Sequence, residues 1–331
     1  MKKTITTGLW ALLLTSLLTV PASAQELIVG GQAVGIQLNT EGVLVAGVSE
    51  VQTADGPVSP AAEAGVQAGD LIVAVDGNPI ADAPALMDAV SAAGEGPLRL
   101  TVRRGEQTLI LSAAPAVSEE ERPMLGILLR DALSGIGTLT FCDPESGRFG
   151  ALGHSVNDSG SGLTIPLRGG SVTDAQIVSV TPGAPGKPGE LGGVSDLASV
   201  LGRIDSNTDE GIFGFLYEGL DGQLLEIGSI TAGPASIVAT IEGSRPREYA
   251  VEVNRVYRDA GGTHALLSVT DPALLSRTGG IVQGMSGSPI LQNGRLVGAV
   301  THVFVSNPSR GYAVSIQDML RAAGIAAEKA A

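Results

Sequence analysis

Two short segments of the chain carry residue types able to do acyl-transfer chemistry. Gly284-Met285-Ser286-Gly287-Ser288-Pro289 sets a serine among small residues. A nucleophilic hydroxyl needs small neighbours so that a carbonyl can approach. It also needs backbone N–H groups aimed at the charge that develops on the carbonyl oxygen. Gly284 and Ser286 are the expected donors to that oxyanion hole. The serine must lose its proton to a base, and the chain has three histidines, His154, His264 and His302. His154 follows Ala151-Leu152-Gly153, well before the serine, and is the expected base. His264 follows Gly261-Gly262 in an expected turn. His302 lies on a strand expected over 298–305 and reads as an ordinary core or surface histidine.

A third group would hold the tautomer of the base and stabilise the imidazolium. Spacing leaves Asp158, Asp174, Asp196, Asp205 and Asp271 all open for that role. No H-E-x-x-H, phosphate-binding loop or dinucleotide fingerprint occurs, so neither a metal nor a cofactor is expected. Cys142 is the single cysteine, which excludes an intrachain disulfide and reads as a small half-buried hydrophobe.

The elements that must position these residues are short strands. Of 331 residues, 44% are hydrophobic, only 3% are aromatic and 46 are glycine, a composition suited to strands joined by tight turns in about two domains. The net charge of −14, without a Lys/Arg cluster, excludes nucleic acid and anionic lipid as partners. At the start, Lys2 and Lys3 precede an apolar run over 9–20 and Ala22-Ser23-Ala24, the pattern of an export signal. Residues 1–24 are therefore expected to be a cleaved signal or a retained membrane tether, with the rest of the protein outside the cytosol.

Glycine punctuates 27–38, alternation marks strands over 43–51 and 71–75, and Asp76-Gly77 signals a hairpin. Leu86, Met87, Val90 and Ala93 have helical spacing over 84–93. Strands over 98–103 and 107–112 follow. The run Ser59-Pro60-Ala61-Ala62-Glu63-Ala64-Gly65, with Gly69-Asp70 beyond it, resembles a PDZ domain of the bacterial protease-associated kind. That resemblance implies an α+β domain over 26–116, which captures a chain end by strand addition. It makes Gly30, Gly31, Gln32, Ala33, Val34 and Gly35 the carboxylate-binding loop. Charged residues over 117–123 ending in Pro123 read as a linker. From 124 to 331, short apolar runs and glycine turns indicate a β-barrel protein, with a Pro/Gly-rich loop over 181–193 and a tail helix over 316–329.

The serine segment resembles that of chymotrypsin-like peptidases, and the whole fold is expected to be mainly β, a PDZ-like domain followed by a double β-barrel. Met285 stands where digestive members carry an aspartate that pairs with a new N-terminus, so that route of activation is excluded. The strings around Cys142–His154 and around Asp271–Ser286 resemble the SpoIVB peptidase family (stage IV sporulation protein B). The resemblance implies His154 as base, Ser286 as nucleophile and Asp271 as third member. It also implies an exported, self-processing serine endopeptidase of endospore-forming bacteria, placed between forespore and mother-cell membranes. Its protein substrate would be a regulator of a membrane-embedded metalloprotease, whose release activates a sigma factor. The PDZ domain would hold a segment of the chain itself or of the target. A PDZ-bearing binding or checkpoint protein with a vestigial protease site is the competing expectation.

Overall fold

The computed structural model describes residues 25–157, 162 and 164–325. The signal or tether expected over 1–24, the candidate Asp158 and the end of the tail helix lie outside the described residues.

The chain enters through β1 (Glu26–Val29) and turns into β2 (Ala33–Val48). The sequence suggested two strands here, yet one strand runs through Asn39 and Gly42. It then builds a small α+β unit from α1 (Pro60–Glu63), β3 (Leu71–Val75), α2 (Ala83–Ala93), β4 (Leu98–Arg104) and β5 (Gln107–Ala113). Helix α2 starts at Asp82, whose carboxylate accepts the N–H of Ala85, and it buries Leu86 and Val90. The turn before β3 is locked by the buried carboxylate of Asp70. It takes Nε of Arg104 at 2.6 Å and Nη2 at 2.8 Å, while the same Nη2 reaches the Gly65 carbonyl at 2.7 Å.

The chain returns through β6 (Ile127–Cys142), β7 (Arg148–Ala151), β8 (Leu167–Thr181), β9 (Glu190–Thr208) and β10 (Gly211–Leu216). These close with β2 into a six-stranded antiparallel barrel in the order β2-β6-β7-β10-β9-β8 and back to β2. Phe149, Leu139, Val34 and Ile212 fill its centre. Burying a side chain of that size contributes roughly 1.5–3 kcal/mol. A second closed barrel follows from β11 (Gly233–Ala239), β12 (Arg247–Asp259), β13 (Gly262–Val269), β14 (Pro289–Gln292), β15 (Arg295–Val303) and β16 (Arg310–Ser315). Helix α3 (Pro272–Thr278) connects β13 to the serine segment, and α4 (Ile316–Ala322) closes the described chain. The expected double β-barrel with a PDZ-like domain is present.

Its domain boundaries differ from the sequence reading. Residues 26–42 belong to the first barrel, because β1 pairs with β6 and with 224–226 while Ala33 and Val34 sit in the barrel cores. The α+β unit is thus inserted between β2 and β6, and its core runs from Val43 to Leu125 with Ile127 and Leu129 packed on it. The expected linker is a tight hairpin, in which Pro123 pairs with Val117 and Arg122 makes an ion pair with Glu120. Local alternation marks a strand but is silent on which sheet will receive it.

Candidate active site

Ser286 and His154 line one cleft of about 470 Å³ between the two barrels. Ser286 follows a turn in which the Met285 N–H reaches the Val282 carbonyl at 3.1 Å, with Met285 fully buried. The first barrel holds this turn from behind. Thr138 on β6 donates its N–H to the Ser286 carbonyl at 3.1 Å and its hydroxyl to the Gly284 carbonyl at 2.9 Å. Thr140 donates its hydroxyl to the Gly287 carbonyl at 2.8 Å. Gly287 has φ +93, and a Cβ there would collide with the Thr138 carbonyl, so only glycine permits this approach. The carbonyls trans to them are held elsewhere, Gln283 accepting the Leu191 N–H at 2.9 Å and Met285 the Ser288 N–H at 3.0 Å, and the N–H groups of Gly284 and Ser286 donate to no acceptor among the described residues. That is the arrangement an oxyanion hole requires.

His154 follows β7 through Leu152 at φ +68 and Gly153 at φ +70. A left-handed leucine costs on the order of 1 kcal/mol, strain stored two residues before the expected base. The Thr138 carbonyl accepts the Leu152 N–H at 3.3 Å, so one residue braces both segments. Asn207 at the end of β9 fixes the other side. Its Oδ1 accepts the Val156 N–H at 2.8 Å, and its Nδ2 donates to the carbonyls of Val156 and Ile165.

The ring of His154 has Nδ1 at 2.7 Å from the Ser155 carbonyl. A carbonyl only accepts, so Nδ1 carries the proton and Nε2 is the basic nitrogen. Burial, and secondarily the neighbouring His302, push the His154 pKa down to about 4. The two rings lie 4.3 Å apart at a tilt of 34°. His302 itself is lowered by desolvation. The Ser286 hydroxyl donates to the Thr301 carbonyl at 2.7 Å, so it must swing from that acceptor to reach His154. Catalytic hydrogen bonds commonly tighten only when substrate arrives.

Asp271 does not join them. Its Oδ1 caps α3, accepting the N–H groups of Ala273 at 2.9 Å and Leu274 at 3.0 Å, and Oδ2 accepts from Ala250 at 3.4 Å. It lines a different cavity, beside Asn293 and Gly294. The T-D-P string that suggested a triad member is an N-cap followed by proline at the first helical turn. Asp174, Asp196 and Asp205 also bond elsewhere, the last to Arg148. His302 is the cleft residue that sequence reasoning passed over. Its only signal was a place on the strand after the serine.

Gly30–Gly35 do not form a carboxylate loop. The N–H groups of Gly30 and Gly31 are spent on the carbonyls of Thr140 and Leu139, and Thr240 donates its hydroxyl to Gly31. The side chain of Gln32 reaches the Asp221 carbonyl, and Ala33 and Val34 are buried. An apolar groove lies between α2 and the start of β6. Among the described residues no group of three or more His, Cys, Asp or Glu is placed to hold a metal ion. Cys142 is buried, which raises its thiol to about 11 and leaves it inert near neutral pH.

The model of the SpoIVB peptidase S55 family matches residues 121–320, and that of a PDZ domain matches 55–104. This chain belongs to the SpoIVB peptidase S55 family. It carries a PDZ domain whose family match stops short of the groove strand, which falls inside the S55 match. Over 61 residues the chain is 48% identical to serine protease HTRA3 of Homo sapiens and 46% to that of Mus musculus. These stretches are 18% of this chain and span only 13% of the length of those relatives. Among solved structures, the active form of the Rv3671c protease from M. tuberculosis is 14% identical with a TM-score of 0.33. That match covers 61% of this chain and 78% of the other.

Proposed function

We propose that this S55 member is a serine endopeptidase in which Ser286 is the nucleophile and His154 the general base. The single observation that carries this is the pairing, in one cleft, of a basic imidazole with a serine flanked by two uncommitted N–H groups. His154 Nε2 takes the Ser286 proton as Oγ attacks a peptide carbonyl. The Gly284 and Ser286 N–H groups receive the oxyanion, the imidazolium protonates the leaving amine, and water then hydrolyses the acyl-enzyme. The tautomer-holding role falls to the Ser155 carbonyl. Among the described residues no Asp, Glu, Lys or Arg lines the cleft, and Ile281, Val282, Val303 and Val305 do. Apolar substrate side chains beside the scissile bond follow from that lining.

The family name supports a wider reading. The chain is exported through its N-terminal signal, processes itself, and cleaves a regulator of a membrane-embedded metalloprotease during sporulation. No described helix is long and apolar enough to cross a membrane. The test is to incubate the purified exported form beside a Ser286→Ala variant and compare fragments by gel and mass spectrometry. Fragments from the wild type alone support the reading. Identical patterns would favour a PDZ-bearing binding protein.

A further inference from the structure

The two N–H groups of the oxyanion hole are aimed by different parts of the molecule. In a trans peptide the carbonyl and the N–H that follows it point in opposite directions, so whatever holds the carbonyl aims the N–H. The peptide that ends in the Ser286 N–H is held inside its own turn. Its carbonyl, that of Met285, accepts the Ser288 N–H at 3.0 Å and the Ser288 hydroxyl at 2.7 Å. The peptide that ends in the Gly284 N–H is held from the other barrel. Its carbonyl, that of Gln283, accepts the N–H of Leu191 at 2.9 Å, and Leu191 belongs to β9.

The loop between β8 and β9 brings Leu191 there by lying across the segment that leads to the nucleophile. Gly183 donates its N–H to the Thr278 carbonyl at 2.8 Å, and the Gly189 carbonyl accepts the Gln283 N–H at 2.9 Å. Glu190 and Gln283 thereby form a parallel bridge. Gly186 donates its N–H to the carbonyl of Val305, on the cleft wall, at 2.8 Å. A Cβ on Gly189 would collide with the Gly183 nitrogen, the Thr181 carbonyl and the Val282 side chain, so only glycine lets the loop lie this close. The buried side chain of Leu191 covers Gly284, where a Cβ would crowd it at 3.0 Å. Among the described residues Leu191 is the sole donor to the Gln283 carbonyl. Met285 is buried and uncharged, so it offers the turn no ion pair. Gly284 has φ +96 and no Cβ to restrain it, so loss of the Leu191 bond frees the Gln283–Gly284 peptide to turn over. The Gln283 carbonyl would then face the place where an oxyanion must sit.

We infer that Leu191 is a positioning residue for the oxyanion hole, and that docking of the β8–β9 loop on residues 278–283 sets the Gly284 donor in place. This rests on the peptidase reading and deepens it. Half of the hole then depends on the contact between the two barrels, and the other half on the serine turn alone. A chain with Ser286 and His154 intact but this loop lifted would bind substrate and acylate slowly. The reason is that the hole acts on charge that develops only in the transition state, so its loss falls on kcat and not on KM.

The test uses the full exported chain with Leu191 supplied as its α-hydroxy acid, which keeps the side chain and exchanges only the N–H for an ester oxygen. Gly189→Ala, whose added methyl pushes the loop away, is the second variant. Lys187→Ala, at an exposed position of the same loop, is the control. The probes are the p-nitrophenyl ester and the boronic acid of acetyl-Ala-Ala-Val, with a fluorophosphonate reporting on Ser286 and thermal melts on folding. The hydroxy-acid chain should show kcat about tenfold lower, as for one lost hydrogen bond. Gly189→Ala should lose about a hundredfold, as for an oxyanion donor. In both, KM should stay within about twofold, while boronate affinity and fluorophosphonate acylation fall by the same factors as kcat; Lys187→Ala should match the wild type. A folded hydroxy-acid chain with wild-type kcat, or a loss carried by KM with the boronate still tight, would overturn the inference and leave the peptidase intact. A wild type that takes no fluorophosphonate would overturn both.

Discussion

The backbone N–H of Thr138 donates to the carbonyl of Ser286 at 3.1 Å, joining the first barrel to the nucleophile of the second. Its hydroxyl does the same for Gly284 at 2.9 Å. These two bonds hold the turn that carries the oxyanion donors against β6. Thr138→Val keeps the shape and removes the hydroxyl bond, leaving a carbonyl unpaired. Removing an oxyanion donor itself costs 10²–10³ in rate, and this residue stands one bond behind, so about tenfold slower acylation by a fluorophosphonate is expected. An unchanged acylation rate in a folded variant would show that the turn holds itself.

The depressed basicity of His154 sets an acid limb. Its pKa is lowered to about 4, so the neutral, proton-accepting form persists down to that pH. Acylation rates should stay flat from neutrality to about pH 5 and then fall. A limb near the ordinary histidine value would contradict the packing. The linked stability has the same sign. Between about 6.5 and 4 the unfolded chain takes up a proton that the folded one excludes, so urea midpoints should fall as pH drops through that window.

His302 contributes to that shift as the second cause after burial. His302→Gln removes the neighbouring charge but leaves the desolvation. The acid limb should therefore rise above 4 without returning to the ordinary value. An unmoved limb would mean that the ring contact at 4.3 Å has no electrostatic weight. The profile is read in low salt, where such coupling is least screened.

Asp271 separates resemblance from geometry. As the cap of α3 it should tolerate Asp271→Asn, with acylation within about twofold of the wild type, since asparagine caps as well as aspartate. Asp271→Ala should lower stability by about 1 kcal/mol in a denaturant titration. A loss on the order of 10⁴-fold for the asparagine variant, as for the carboxylate behind a catalytic histidine, would instead place Asp271 in the triad.

Much of this was legible in the chain. Ser286 stood out because a nucleophile loop needs glycine on both sides, and His154 because only three histidines compete. The PDZ-like unit was visible in its alanine and glycine turns, and helix α2 in its apolar spacing. The loop over 30–35 was misread because a glycine turn before a strand occurs twice, at Gly31 and at Gly126. Gly30-Gly31 turns a chain inside a barrel, whereas Leu125-Gly126 opens a groove, and only the partner strand distinguishes them. His302 was missed because nothing local marks a histidine brought to another by two barrels closing against each other. Asp271 was carried by resemblance, and a T-D-P string is equally the signature of a helix start.

The most direct test is to map the fluorophosphonate adduct on the wild type, Ser286→Ala and His154→Ala by intact mass and peptide sequencing. One adduct on Ser286, absent from the first variant and formed on the order of 10⁴-fold more slowly in the second, is the predicted result. A folded wild type that takes no adduct, or takes it at full rate without His154, would contradict the account.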